Sequence, residues 1–448
     1  MTSETGTMTK EAIRMAWPAV LESFFVALAG MIDTMMVAQL GSAAVSSIGL
    51  TTQPKFIGLC PFMALNMAVS AFVARRKGEG RKDNANETLL TAILTLLVLC
   101  IVISLLCQAV ADPVMRLAGS NEETHEGAVI YFRIIMGGTI FNVVQMMFNA
   151  AQRGSGNTRI SMITNVASST TNVVFNYLLI GGHFGFPALG IRGAALATVL
   201  GSVVGCTISI ISLFRHRSYV SLPYILRNRI RPTLTTLKNI AKFSSNIMVE
   251  NLAMRVGFLT TALLAARLGT DQFAAHNVGM NLLSLAFSFA DGMQAAGVAL
   301  SGQSLGAKQK EKAKKYIQIC QRIGLCISLV LAVLMFFGGR TFFSWYFTEE
   351  HIIGYGVTIT RYIMVIVLLQ ISQIIYGSCL RAAGDVRYAL IASLISVTFI
   401  RTIVTFVLTS VVGLGLHGIW LGIFADQFSR FLFMSTRFKS GKWMNIEI

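Results

Sequence analysis

Two carboxylates stand in an apolar stretch near the start of the chain: Glu22 and Asp33, within Ala12 to Leu40. The stretch exceeds the ~20 residues needed to cross a ~30 Å hydrocarbon core, so it reads as a spanning helix. A charge in hydrocarbon is costly unless it faces a wet cavity or a partner. Eleven residues separate the two acids, about three turns at ~3.6 residues per turn, which puts both on one face. That face is expected to line something polar. Carboxylates so placed can hold a proton, a hard cation that takes oxygen ligands, or a cationic substrate. Pro18 shares the face, removes a backbone donor, and is expected to kink or soften the helix just below Glu22.

The same stretch recurs 228 positions later. Glu250 matches Glu22 and Leu268-Gly269 matches Leu40-Gly41, but Asp33 meets Thr261. Laying the halves over one another separates shared polar residues from private ones. Glu22/Glu250, Arg133/Arg361 and Gln145/Gln373 are shared. Asp33, Asn172, Asn176 and Thr198 are not; their counterparts are Thr261, Ile400, Val404 and Ile423. The first half is therefore expected to hold a compact oxygen-rich site that the second lacks. One carboxylate with amide and hydroxyl groups suits a proton or a monovalent hard cation, H⁺ or Na⁺. A hydrogen-bonded cluster that only packs helices would use the same residue types.

In the second half, Asp291 is private, its counterpart being Met63. Glu250 and Asp291, with Glu22, are candidates for holding cationic substrate or a proton in a cleft, unless Glu250 and Asp291 pair with Arg255 or Arg401. Asp426 and Arg430 are spaced as a self-neutralising i,i+4 pair. Lys55 is an unusual cation for a span: it either snorkels to the outer interface or meets a carboxylate in the cavity.

The elements that position these residues follow from composition. Apolar residues make up 54% and charged residues 13%, against roughly 25% charged in soluble domains. The expected fold class is all-α integral membrane, with twelve transmembrane helices in two six-helix pseudo-symmetric lobes. The spans fall roughly at 12–40, 46–74, 87–110, 126–150, 160–182, 192–214, 239–268, 273–304, 314–338, 352–379, 388–412 and 417–437. An even number per half makes the repeats parallel, a plan that places substrate between halves and alternates access by rocking. The expected division is a first lobe at 1–214, a basic linker at 215–238 carrying Pro223 and Pro232, and a second lobe at 239–448 with a basic tail.

The formal net charge is +17. Most of the 37 Lys and Arg fall on alternate connections and the termini, so the excess follows the positive-inside pattern. Nucleic-acid binding is excluded as its explanation, contact with membrane lipids is a by-product, and both termini are expected to be cytoplasmic. The expected location is the plasma (inner) membrane, multi-pass. No short apolar core with a small-residue cleavage site precedes the first span, so a cleaved leader is not expected. The seven Cys form no CxxC pair and read as small buried hydrophobes, not metal ligands or disulfides. No His-Glu-x-x-His, Gly-x-Ser-x-Gly or paired-Asp magnesium motif occurs, so an enzyme, a catalytic residue or a bound cofactor is not expected.

One further repeat concerns structure. Arg153-Gly154-Ser155-Gly156-Asn157-Thr158-Arg159 is echoed by Arg381-Ala382-Ala383-Gly384-Asp385-Val386-Arg387 at the same offset. Gly156 and Gly384 suit a turn needing a positive φ. With Pro18, the residues Arg153, Gly156, Arg381 and Gly384 are assigned to structure and gating.

The chain resembles the multidrug and toxic compound extrusion (MATE) family, within the wider group of oligosaccharide and lipid flippases. The motifs that carry the resemblance are Ile32-Asp33-Thr34 followed by Leu40-Gly41, Ala275-His276-Asn277, Gly302-Gln303-Ser304-Leu305-Gly306-Ala307, Gly193-Ala194-Ala195-Leu196-Ala197-Thr198 and the paired Arg-containing loops. The resemblance covers nearly the whole chain. It implies export of organic, often cationic, molecules against entering H⁺ or Na⁺, by a chain expected to act as a monomer. The family's first-helix Asp maps onto Asp33 and its fifth-helix polar pair onto Asn172 and Asn176. Some members carry Asp at the second position, so Asn176 leaves one carboxylate fewer for a tightly held Na⁺. Glu250 stands about one turn nearer the cytoplasm than the seventh-helix acid of several members. The alternative reading within the same group is a lipid-linked oligosaccharide or lipid flippase.

Overall fold

In the computed structural model, residues 2–214 and 218–446 are described; Arg215, His216 and Arg217 of the expected linker lie outside them. Among the described residues there is no strand. Long apolar runs become helices because, in a membrane, every backbone polar group must be satisfied within the segment. In the first half these are α1 (Thr2–Ala38), α2 (Ser42–Gly78), α3 (Lys82–Leu117), α4 (His125–Gly137), α5 (Thr139–Gly154), α6 (Thr158–Gly181) and α7 (Ile191–Leu213). A short α8 (Leu222–Arg227) follows. The second half has α9 (Leu234–Ala266), α10 (Thr270–Gly306), α11 (Lys310–Ser344), α12 (Glu350–Ala382), α13 (Val386–Ser393), α14 (Thr402–Phe406) and α15 (Leu416–Ser440).

Nine of these stretches are long and apolar enough to cross a membrane, and α4 with α5, bent by 48° at Gly138, makes a tenth. The span read at 126–150 is present but broken, at the Gly137-Gly138 pair. α6 and α15 bring the number to twelve, in two six-helix lobes. These two are less apolar because they carry Asn165, Asn172 and Asn176 in one case and Asp426 and Arg430 in the other. Polar residues in a span mark a site or a buried pair, so the two least apolar spans are informative ones.

The repeat is visible in the backbone. Gly41 and Gly269 precede α2 and α10 with φ of 101° and 107°. Gly190 and Gly415 precede α7 and α15 with φ 55°, ψ −125° and φ 54°, ψ −125°. Gly156 and Gly384 take φ of 86° and 99°, as the turn reading requires. The halves differ between α13 and α14, where Leu394–Arg401 is π-helical, and again at Val407–Val411. Such bulges insert extra residues into a helix and are frequent at functional sites.

By packing, the residues fall into two units, Leu21–Ser245 and Met1–Val20 with Asn246–Ile448. Helix α1 is shared: Met8, Ala12 and Ala16 belong to the apolar core of the second unit, while Leu21 onward counts with the first. Pro18 lies three residues before that change. Around the C-terminal part of α1, an apolar cluster of Val37, Ala44, Tyr131, Ile135, Ile180 and Ala194 packs the first unit.

Candidate functional site

Helices α1 and α6 meet in register at two polar contacts. Asn165 Nδ2 donates to Glu22 Oε1 at 2.5 Å, and Asn176 Nδ2 donates to Asp33 Oδ1. Each pair is 143 residues apart, so the eleven-residue spacing on α1 is matched by an eleven-residue spacing on α6. At ~1.5 Å rise per residue the two contacts are about 16 Å apart along the helices.

The Asp33 contact draws in the remaining residues expected there. Asn176 Nδ2 also lies 3.5 Å from Asn172 Oδ1, and Asn172 Nδ2 donates to Thr198 Oγ1 at 3.2 Å. Asp33, Asn176, Asn172 and Thr198 therefore form one hydrogen-bonded chain across α1, α6 and α7. The Asn176 Oδ1 atom is buried and lacks a hydrogen-bond partner. A half-turn of that amide exchanges donor for acceptor, so the same residue can serve a charged carboxylate or a protonated one.

Small residues on α7 make this approach possible. A Cβ at Gly201 would lie 2.6 Å from the Ser168 carbonyl oxygen and 3.1 Å from Asn172 Cβ. Only glycine lets α7 lie this close to α6, and Thr198, one turn earlier, thereby reaches Asn172.

Two further groups stand at this site: Tyr131, which the sequence reading did not single out, and Lys55, for which a cavity carboxylate was one of two readings. Tyr131 on α4 is 4% exposed, and its hydroxyl meets Thr198. Lys55 on α2 is near enough for its charge to act on Asp33. Both pass the test that found the others: at the repeat offset their counterparts are Ile359 and Leu283. Among the described residues no three of His, Cys, Asp and Glu gather as a metal would require. Any cation at Asp33 would thus rely on one carboxylate and neutral oxygens.

Glu22 and Glu250 occupy a different setting. Arg153 Nη1 donates to Glu22 Oε1 at 3.3 Å, with Ser161 Oγ at 3.2 Å. Arg381 Nη1 donates to Glu250 Oε1 at 2.9 Å, with Ser393 Oγ at 2.7 Å. Asn165 and Ser393 are repeat counterparts, as are the two arginines. The loops assigned to structure and gating thus reach the duplicated acids: each half pins its first helix to the turn that carries its arginine. Glu250 does pair with an arginine, but it is Arg381 and not Arg255 or Arg401 as read from the sequence. Asp291 is linked to the same group. Gln294 Nε2 donates to Asp291 Oδ1 at 2.5 Å, Ser378 donates to Gln294 Oε1, and Arg381 Nη2 donates to Ser378 at 3.2 Å.

In the second half, the position of Asp33 carries a different chemistry. Arg401 Nε donates to Thr261 Oγ1 at 2.8 Å, and its Nη1 lies 3.3 Å from Asp426 Oδ2. Arg430 binds both Asp426 oxygens, at 2.8 and 3.0 Å, as the i,i+4 spacing anticipated. The Arg401 guanidinium also stacks 4.7 Å from the Phe258 ring centre, a favourable place for a desolvated cation. Arg401 closes the π-helical stretch. Where the first half presents a carboxylate to amide and hydroxyl groups with Lys55 near by, the second presents a hydroxyl to a fixed, directly bonded cation.

Comparison with known proteins agrees with this architecture. The MatE family model matches residues 18–178 and again 247–407, so the two matches fall on the two halves. A relative in Thermotoga maritima, described as a probable multidrug resistance protein NorM, is 26% identical over 441 residues, covering 98% of this chain and 94% of that protein. The uncharacterized transporter YisQ of Bacillus subtilis is 23% identical over 434 residues, covering 96% and 94%. Among solved structures, the outward-facing form of a multidrug resistance MATE family transporter of the MOP superfamily superposes with a TM-score of 0.89 at 22% identity, covering 97% of each chain. A MOP superfamily transporter from Pyrococcus furiosus superposes at 0.88 with 22% identity over 97% of each chain. The chain belongs to the MATE family of membrane transporters.

Proposed function

We propose that this chain is a cation-coupled antiporter that exports organic, cationic or amphipathic compounds, and that Asp33 is its coupling carboxylate. The observation that carries this reading is the contrast between halves: Asp33 faces Asn176, Asn172, Thr198 and Tyr131 in one, and Thr261 faces the fixed cation Arg401 in the other. A carboxylate hydrogen-bonded to neutral groups, with the Lys55 ammonium near it, can take up and release H⁺ or Na⁺, whereas a hydroxyl bonded to guanidinium has no place for either. The names of the relatives, probable multidrug resistance proteins, support drugs and other small organic molecules as cargo.

Coupling requires that the ion bind two conformations with different affinity. Helix α1 suits this. Asp33 sits on its outer part, Glu22 fixes its middle, and Pro18 interrupts its hydrogen bonding where the packing changes unit. Uptake of an ion at Asp33 alters the bond to Asn176 and so the hold of α6 on α1. Glu22 and Glu250, paired with Arg153 and Arg381, act as anchors on which this movement turns, and Asp291 extends the second anchor through Gln294 and Ser378 toward substrate. The lobes are 1–214 and 239–448, joined by the 215–238 linker. Access alternates between them in a monomeric chain in the plasma membrane, with both termini cytoplasmic. Reporter fusions after Lys238 and after Gly185 test the topology, which requires opposite sidedness. Efflux from vesicles under an imposed pH gradient, and separately a Na⁺ gradient, tests the coupling. Transport that ignores both gradients would rule it out.

A further inference from the structure

The two halves share a turn between their second and third spans. Helices α2 and α10 end at Gly78 and Gly306, and α3 and α11 begin at Lys82 and Lys310, the repeat offset in both cases. The turns have the same conformation, with φ of 73° at Gly80 and 59° at Lys308. What lies on them differs.

In the first half the start of α3 is a dock for the segment that follows α7. Asn86 donates to the Tyr219 carbonyl at 3.2 Å and accepts from the Ser221 amide at 2.9 Å. The Tyr224 hydroxyl donates to Asp83 at 2.8 Å, and Thr236 donates to Glu87 at 2.6 Å. Lys82 lies 4.2 Å from the Tyr224 ring centre. The residues that hold the segment are an acid, an amide and an acid.

At the matching places in the second half stand Glu311, Lys314 and Lys315, while Gly80 and Asn84 become Lys308 and Lys312. Two of the three holding groups have become cations. The surface is an open depression of about 650 Å³ lined by Lys308, Gln309, Lys310, Glu311, Lys312 and Lys315. At its rim, Lys310 donates to Asn445 at 2.6 Å. A peptide held as the first half holds its own would need acceptors at these positions, and finds ammonium groups.

We propose that this depression binds the headgroup of an anionic phospholipid, of the glycerophosphate type. Five lysines against one acid within eight residues make a strongly positive patch. The patch stands at the end of a spanning helix, where the apolar run of α11 begins within a few residues. A basic cluster of this size beside a span is the usual recognition element for anionic headgroups. The acyl chains would lie along the apolar face of α11, which exposes Leu325, Leu329 and Val333.

The test uses the full chain in nanodiscs of phosphatidylcholine alone or with one-fifth phosphatidylglycerol, reading bound lipid by native mass spectrometry. The variant Lys308→Gln/Lys312→Gln/Lys315→Gln is compared with Arg227→Gln/Arg229→Gln/Arg231→Gln, which removes equal charge elsewhere. We expect the lysine variant to lose on the order of tenfold or more in phosphatidylglycerol retention and the arginine variant to keep most of it. Soluble glycerol 3-phosphate should compete weakly, because it lacks the chains. Equal loss in both variants would mean attraction to net charge alone, and no loss in either would remove the site; both overturn the proposal. Unchanged melting of the lysine variant in phosphatidylcholine verifies its fold. Failure here would leave the coupling role of Asp33 untouched.

Discussion

Removing Arg381 should cost more than removing Arg153, although the two are repeat counterparts. Both are replaced by Met, which keeps length and removes charge. In the second half Glu250 is 4% exposed and Arg381 14%. After Arg381→Met, Glu250 keeps only Ser393 on the bonded oxygen. Breaking a buried pair so that one charge is left behind costs ~3–5 kcal/mol. In the first half Arg153 is 30% exposed and its contact is longer, 3.3 Å. Glu22 also keeps Asn165 and Ser161. A hydrogen bond to a charged group contributes ~1.5–3 kcal/mol, and solvent screening reduces that, so Arg153→Met should cost about 1–2 kcal/mol. Thermal unfolding of purified protein, followed by tryptophan fluorescence, should place Arg381→Met clearly below Arg153→Met. The Glu250→Gln/Arg381→Met double variant should melt above the Arg381→Met single variant, because no buried charge is left unpaired. An Arg153→Met midpoint at or below that of Arg381→Met would refute the reasoning from burial and partner number.

Three other outcomes follow from the same geometry. Adding Asp426→Asn should restore more stability to Arg430→Met than to Arg401→Met, because Arg430 binds Asp426 through two contacts and Arg401 through one longer one; the melting midpoints of the single and double variants check it. Gly201→Ala should cost ~1–3 kcal/mol by overpacking and weaken gradient-driven efflux, because the new methyl would press on the Ser168 carbonyl beside Asn172; midpoint and vesicle efflux are measured together. Tyr131→Phe should leave the midpoint within about 1 kcal/mol of wild type, the usual net worth of a hydrogen bond. It should nonetheless shift the ion concentration for half-maximal efflux, because the hydroxyl is taken from Thr198 at the site.

Much of this fold was legible in the residues. The 228-residue repeat and the glycines at Gly156 and Gly384 mark where spans and turns fall, and the backbone follows them. The site was legible by a subtraction: Asp33, Asn172, Asn176 and Thr198 are polar where their counterparts are not, and they do form one hydrogen-bonded chain. Tyr131 and Lys55 satisfy the same subtraction against Ile359 and Leu283, so the sequence carries a signal for both, although only Lys55 was read as a cavity residue, and then as one of two alternatives. The partners of Glu22 and Glu250 were harder to read. Arg153 and Arg381 lie 131 residues from them, and such contacts depend on how α5 and α12 end against the first helix of each half. The π-helical stretch before Thr402 leaves no mark in the residues themselves. It ends at Arg401, which bonds Thr261, in a run that otherwise reads as plain apolar helix.

The claim that Asp33 carries the coupling is tested most directly by one comparison in sealed vesicles. Wild type and Asp33→Asn are reconstituted at equal density, and efflux of a fluorescent cationic dye is followed with and without an imposed ion gradient, beside equilibrium binding of the same dye. The asparagine keeps shape and hydrogen bonding with Asn176 while removing the titratable, cation-binding oxygen. The account predicts that Asp33→Asn binds dye as wild type does yet gains no efflux from the gradient. Efflux by Asp33→Asn at the wild-type rate against a dye gradient would contradict it.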